Sequence, residues 1–337
     1  MNASEFSQVN TSISVRERTF LTGEQLKQML AASDNETLSL QLANSNYHIS
    51  AADLSKPDQI EKALMTALAQ EYQFAYQEAP DKRVVDIFAL KYTYHNLKCL
   101  LKARATDFDL SSLLIPIGAY DMADLTYLVS SLQSSACDPI LVDEVQDAWR
   151  DYQEYRDLKA IDLGMDYAYF HHLRKIEQAI DHPPISELVN AMIDFYNIIA
   201  AKRANEQGKP NSFTYKVMSN SSQQEMADLN RFVQDDLLAT WFSPMNLIDF
   251  GHQFDESINR MKQATVTASE LERVRDRFLQ ALLDRSKLDS MGPMPLLRYL
   301  YGKEMEVSNL RLILTGKANS LSQDQLIERM KPVYGES

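Results

Sequence analysis

No two of the nine glycines in this 337-residue chain, from Gly23 to Gly335, stand closer than ten positions. A dinucleotide-binding turn needs three glycines within six residues, and the phosphate loop of nucleotide hydrolases needs two within six. Neither fits this spacing. Tight hairpins also lean on glycine for positive φ, so a turn-rich β fold is a poor match. In place of turns the chain has helical periodicity. From Ile60, apolar or aromatic residues return every three or four positions through Leu64, Leu68, Tyr72 and Tyr76, with Pro57 near the start and Pro80 at the end. Val84, Val85, Phe88, Tyr92, Leu97, Leu100 and Leu101 mark the buried side of a second long helix after Lys82. The spacing predicts further helix across 140–178, broken at His182, Pro183 and Pro184, then over 185–204 and around 271–282. A last long helix is expected from Pro295 to Leu314, with Gly316 as its C-terminal stop. The expected fold class is all-α.

Three times, then, a long helix meets a proline-marked break and a second long helix follows. The second members overlay. They read Tyr94-His95-Asn96-Leu97-Lys98, Phe195-Tyr196-Asn197-Ile198-Ile199 and Val307-Ser308-Asn309-Leu310-Arg311. Each has an apolar residue two before the Asn and another one after it. Basic residues occupy the final turns: Lys98, Lys102 and Arg104; Lys202 and Arg203; Arg311 and Lys317. The asparagines lie 101 and 112 residues apart, too far for a solenoid repeat of about 20–50 residues. The spacing fits three similar helical domains in tandem, over 1–112, 113–215 and 216–337, with linkers at 106–112 and 207–222. Asparagine is a poor helix-interior residue, so on a buried face it is expected to bond a neighbouring element. A contact with a ligand or partner is the alternative. The basic residues either complement helix C-terminal dipoles or line an interface.

The formal net charge is −13, from 34 basic and 47 acidic residues. Such a chain is repelled by phosphate backbones and anionic head groups, so nucleic acid and bare lipid are poor partners. Two isolated cysteines, Cys99 and Cys137, cannot build a disulfide framework, which suits a reducing cytoplasm. No apolar run approaches the ~20 residues of a membrane span, and Met1 to Asn10 lacks a basic-then-apolar signal.

The search for chemistry finds little. None of His48, His95, His171, His172, His182 and His252 sits in an H-E-x-x-H or E-x-x-H pattern. Asp249-x-x-His252 reads as a helix-end pair, and Asp235-Asp236, with no third aspartate at helical spacing, as a solvated turn. Cys99 stands beside Lys98 and near Lys102, which would favour its thiolate; Leu97, Leu100 and Leu101 around it favour a buried, inert thiol. No catalytic, cofactor-binding or metal-ligating set is expected.

Two segments carry more than a pattern. Phe88-Ala89-Leu90-Lys91-Tyr92-Thr93-Tyr94-His95-Asn96-Leu97-Lys98-Cys99-Leu100-Leu101-Lys102 resembles the signature run of the V-type ATPase C-subunit family, whose eukaryotic member is called the d subunit. Leu297-Arg298-Tyr299-Leu300-Tyr301-Gly302-Lys303-Glu304-Met305-Glu306-Val307-Ser308-Asn309-Leu310-Arg311-Leu312-Ile313-Leu314-Thr315-Gly316-Lys317 is similar to its C-terminal counterpart, and 14–30 to its opening. The middle copy keeps Asn197 but has Ile199 where a basic residue would stand. The resemblance implies a funnel of three related helical domains with pseudo-threefold symmetry. It implies a non-catalytic subunit on the cytoplasmic side of a rotary ATPase. There it would link the central axle of the ATP-hydrolysing head to the membrane proteolipid ring, in proton or sodium transport. It implies no nucleotide site, no ion site, no direct lipid insertion and a monomer when isolated. The competing expectations are a free-standing helical adaptor and, more distantly, a helical enzyme.

Overall fold

The computed structural model describes residues 3–43, 45–246 and 250–336, and among them there is no strand. The helices are Ser7–Arg16 (α1), Gly23–Ala31 (α2), Asn35–Leu42 (α3), Pro57–Glu78 (α4), Lys82–Thr106 (α5), Met122–Ser131 (α6), Pro139–Tyr155 (α7) and Leu158–Ile180 (α8). There follow Pro183–Glu206 (α9), Asn211–Val217 (α10), Met226–Gln234 (α11), Leu238–Asn246 (α12), Asp255–Gln263 (α13), Ala268–Asp284 (α14), Met294–Ala318 (α15) and Gln323–Arg329 (α16). Of the opening Met1 to Asn10, the first two residues lie outside those described.

Local chemistry sets the starts. Thr22 with Gln25 and Ser322 with Gln325 form reciprocal capping boxes on α2 and α16. Asp34, Asp138 and Asp157 accept backbone N–H groups at the first turns of α3, α7 and α8. Proline opens α4, α7 and α9, where its missing N–H is no loss. The ends reflect the shortage of glycine. Leu132, Arg156 and Asp181 take the left-handed conformation that closes α6, α7 and α8, with φ of 59°, 51° and 51°, each at a cost of roughly 1 kcal/mol relative to glycine.

Three expectations are corrected. The stretch 140–178 is two helices, not one, parted at Arg156 without any proline or glycine to announce it. The expected linker 207–222 contains α10. Gly316 does not stop α15, which runs to Ala318 and is capped at Asn319. A side chain at Gly316 would collide with Leu326 of α16, so this glycine permits close helix packing.

The chain divides into two compact units. One comprises residues up to 89, 115–119 and from 282 onward; the other comprises 90–114 and 120–281. Helix α5 contributes to both units. In the first unit α15 packs along α4, with α1, α2 and α16 also against it. In the second, α8 lies between α7 and α9, and α9 also carries α10 and α11. An aromatic cluster of Phe195, Trp241, Phe242, Phe254 and Phe278 fills part of that unit's core.

Candidate functional site

All three asparagines are buried: Asn96 and Asn197 at 0% exposure and Asn309 at 1%. Each stands in the second half of a helix of 24 or 25 residues that begins fourteen or fifteen positions earlier. Asn197 donates from Nδ2 to the Ser219 carbonyl at 2.9 Å and accepts the Ser219 N–H on Oδ1 at 2.7 Å. Asn309 does the same with Lys331, at 3.2 and 2.7 Å. Both clasps reach a residue 22 positions on. Between the ends of each clasp the chain finishes the long helix and makes one seven-residue helix, α10 or α16. A side-chain amide mimics a peptide group, so it pairs with a backbone that has left regular structure and would otherwise be buried unpaired.

The seven basic residues named from the sequence divide between the two units. In the second unit, Lys98 pairs with Asp166 and Lys102 with Asp162 (2.6 Å), both on α8. Arg104 donates to the Val129 carbonyl and lies over the Trp149 ring at 4.2 Å. Arg203 pairs with Glu272 of α14, while Lys202 is buried. In the first unit, Arg311 makes a two-pronged pair with Glu61 of α4 at 2.7 and 2.8 Å, and Lys317 donates to the Leu30 carbonyl at 2.7 Å. The partners were there to be found: Glu61 and Asp162 are 101 residues apart, the same interval that separates Asn96 and Asn197.

What the sequence did not disclose is how deeply the charges of α15 are buried. Arg298, Lys303, Glu304 and Glu306 are all under 9% exposed. Arg298 donates to Asp284 (2.6 Å) and Glu17 (2.9 Å) and lies over the Tyr334 ring. Lys303 donates to Glu306 at 3.0 Å and sits 3.9 Å over the ring of Phe20. Glu306 also accepts from Tyr47 Oη at 2.8 Å and from the Leu21 N–H at 2.5 Å, and Glu304 accepts from Tyr72 Oη at 2.6 Å. Burial, reinforced by the charge of Glu306, drives the Tyr47 phenol well above its ordinary range, so it stays a donor.

Titratable groups elsewhere are shifted by burial. Asp86, which accepts from Tyr76 Oη at 2.5 Å, is raised to about 6. His172, 3.2 Å from Tyr94 Oη, is lowered to about 4. Burial also raises the Cys99 thiol, against the opposing pull of Lys102 and Lys98. Asp249 lies outside the described residues, and His252 faces Asp255 at 2.7 Å. Among the described residues there is no group of three His, Cys, Asp or Glu able to hold a metal ion. Nor is any helix among them long and apolar enough to cross a membrane.

The described residues thus form an all-helical chain in which an asparagine clasp is repeated. The family model described as ATP synthase (C/AC39) subunit matches residues 9–329, and the chain belongs to that family, the V-type ATPase C-subunit family to which its motifs pointed. It is 28% identical to the C subunit of the V-type sodium ATPase of Enterococcus hirae, over 98% of this chain and 99% of that protein. It is 23% identical to the C subunit of the A-type ATP synthase of Methanocaldococcus jannaschii, over 95% of this chain and 85% of that one.

Proposed function

We propose that this protein is a non-catalytic coupling subunit of a rotary ATPase. It joins the central axle of the ATP-hydrolysing head to the membrane ring of ion-carrying subunits, on the cytoplasmic face of the membrane. The observation that carries this reading, beside family membership, is a recurring junction. Taken as three consecutive segments, the chain uses one device three times. A basic residue shortly after the asparagine of one segment pairs with an acid on a long helix of the next: Lys102 with Asp162 of α8, Arg203 with Glu272 of α14, and Arg311 of the last segment with Glu61 of α4 in the first. Three segments linked head to tail, with the last returning to the first, support a funnel with pseudo-threefold character. A rotor adaptor needs such a closed socket, because torque applied at one face must leave by the other without the wall parting. The coupling ion is H⁺ or Na⁺.

The test removes and restores the protein. Membranes lacking it should hydrolyse ATP in the head but fail to pump ions, and adding back the full chain should restore pumping. A tagged chain should retrieve axle and ring subunits from native membranes. Retrieval of no ATPase component would leave a free-standing adaptor and would end the rotor reading.

A further inference from the structure

The basic residues at the ends of α5, α9 and α15 that have partners find them within the chain. A second basic group is matched only in part. Between α13 and α14 lies a groove of about 280 Å³, floored by the buried Met261, Val266 and Leu271. Three arginines line it. Arg260 pairs with Glu270 at 3.3 Å. Arg277 reaches only a neutral acceptor, the Ser257 hydroxyl, at 2.6 Å. Arg273, four positions before Arg277 and on the same side of α14, has no hydrogen-bond or ionic partner among the described residues. Glu256 is the other carboxylate on the groove wall. Over 260–277 basic residues outnumber acidic ones five to three, in a chain that nets −13.

We infer that this groove is a docking surface for an acidic amphipathic helix of another subunit. Apolar residues on one face of such a helix would pack on the aliphatic stems of the arginines that rise from this floor. Carboxylates spaced three or four apart would meet Arg273 and Arg277, whose planar forks suit two-pronged carboxylate recognition. Charge complementarity selects the occupant. A basic helix would be repelled by the two guanidiniums that no carboxylate neutralises, and an anionic lipid surface would be opposed by the field of the whole chain. The inference rests on the rotary-complex reading for where the partner is sought.

The full chain carrying p-benzoylphenylalanine in place of Glu256, assembled into the native complex, tests it. Irradiation should yield a cross-link to a helical segment of another subunit bearing at least two Asp or Glu three or four positions apart. The charge-reversed chain R273E/R277E should lose that cross-link and be retained on the complex at least ~10-fold more weakly, while R273K/R277K should keep the cross-link with retention between the two. Cross-links to lipid, to a second copy, to a segment without acids, or to nothing would overturn the inference. So would wild-type retention of the reversed chain. Should the reversed chain fail to fold by circular dichroism, the cross-link made with both arginines intact decides the matter. A chain that retrieves ATPase subunits but gives no acidic cross-link sinks this inference alone.

Discussion

Helices α9 and α15 hold the same asparagine in the same clasp, yet they are buried in opposite company. Around α9 the core is largely apolar and aromatic, with Phe195 packed edge-on to Trp241 and Phe242. Around α15 it is a web of charges: Arg298, Lys303, Glu304 and Glu306, met by Glu17, Asp284 and the hydroxyls of Tyr47 and Tyr72. The clasp fixes where the chain after each helix returns, and it does so with main-chain partners that any sequence supplies. What fills the space around it is free to differ. An apolar core tolerates substitutions of similar volume, whereas a buried ionic web depends on every member being present.

The largest expected effect follows from that contrast. Lys303→Met leaves Glu306 without its cation and should lower stability by about 3–5 kcal/mol, read from denaturant unfolding. Adding Glu306→Gln should recover much of the loss. A loss under ~1 kcal/mol for the single variant would mean the web around α15 is no more brittle than the apolar core around α9.

The two units should also differ in their response to pH. Asp86 in the first unit titrates at 3.8 unfolded and about 6 folded, so the folded chain holds the extra proton between those values. Its contribution is fully present below pH 3.8 and lost as pH rises through 6. Asp86→Asn should therefore stabilise at pH 8 by on the order of 2 kcal/mol and change little at pH 4. His172 in the second unit runs the other way, 6.5 unfolded and about 4 folded. Its contribution is present above pH 6.5 and lost as pH falls through 4, so His172→Gln should flatten the acid side of the profile. Parallel pH profiles for wild type and both variants would contradict the burial described for these groups.

Asn197→Ala and Asn309→Ala should each lose about 1–3 kcal/mol, since each leaves a backbone N–H and C=O without partners. Hydrogen exchange should quicken at Ser219 in one and at Lys331 in the other. Unequal losses would show that the surroundings, not the clasp, set its worth. The smallest effect belongs to the exposed junction pairs. Arg203→Ala should change stability by about 0.2–1 kcal/mol, with Arg203→Glu restored by Glu272→Arg.

The helices and the repeated asparagine were legible in the sequence because periodicity and spacing are local, countable properties. Asn197 and Asn309 stood out as polar residues in apolar stripes, and burial with main-chain partners is what that pattern demands. The break at Arg156 was not legible, because a left-handed arginine leaves no compositional mark. Nor was the burial of Lys303 and Glu306. They pair with each other three positions apart, but the groups that cover them, Phe20, Leu21 and Tyr47, lie more than 250 residues away, and long-range contact leaves no trace in a window of helical length. The ion-pair partners Glu61 and Asp162 carried a signal in their common interval with the asparagines, visible only once acids as well as bases are laid over the repeat.

The placement of Tyr334 and Glu336 has a consequence for how the molecule comes into being. Tyr334 stacks on Phe20 with ring centroids 3.9 Å apart, and Glu336 accepts the N–H of Gly23 at 2.8 Å. Phe20 and Gly23 are thus covered by residues made some three hundred positions later. During synthesis the second unit, drawn mainly from the continuous stretch 120–281, has all its parts outside the ribosome while the first still lacks α15. The first unit therefore has to hold Phe20, Leu21 and Tyr47 exposed for most of the time of translation, and its assembly is the late step, open to capture by chaperones or to aggregation in a way the second is not.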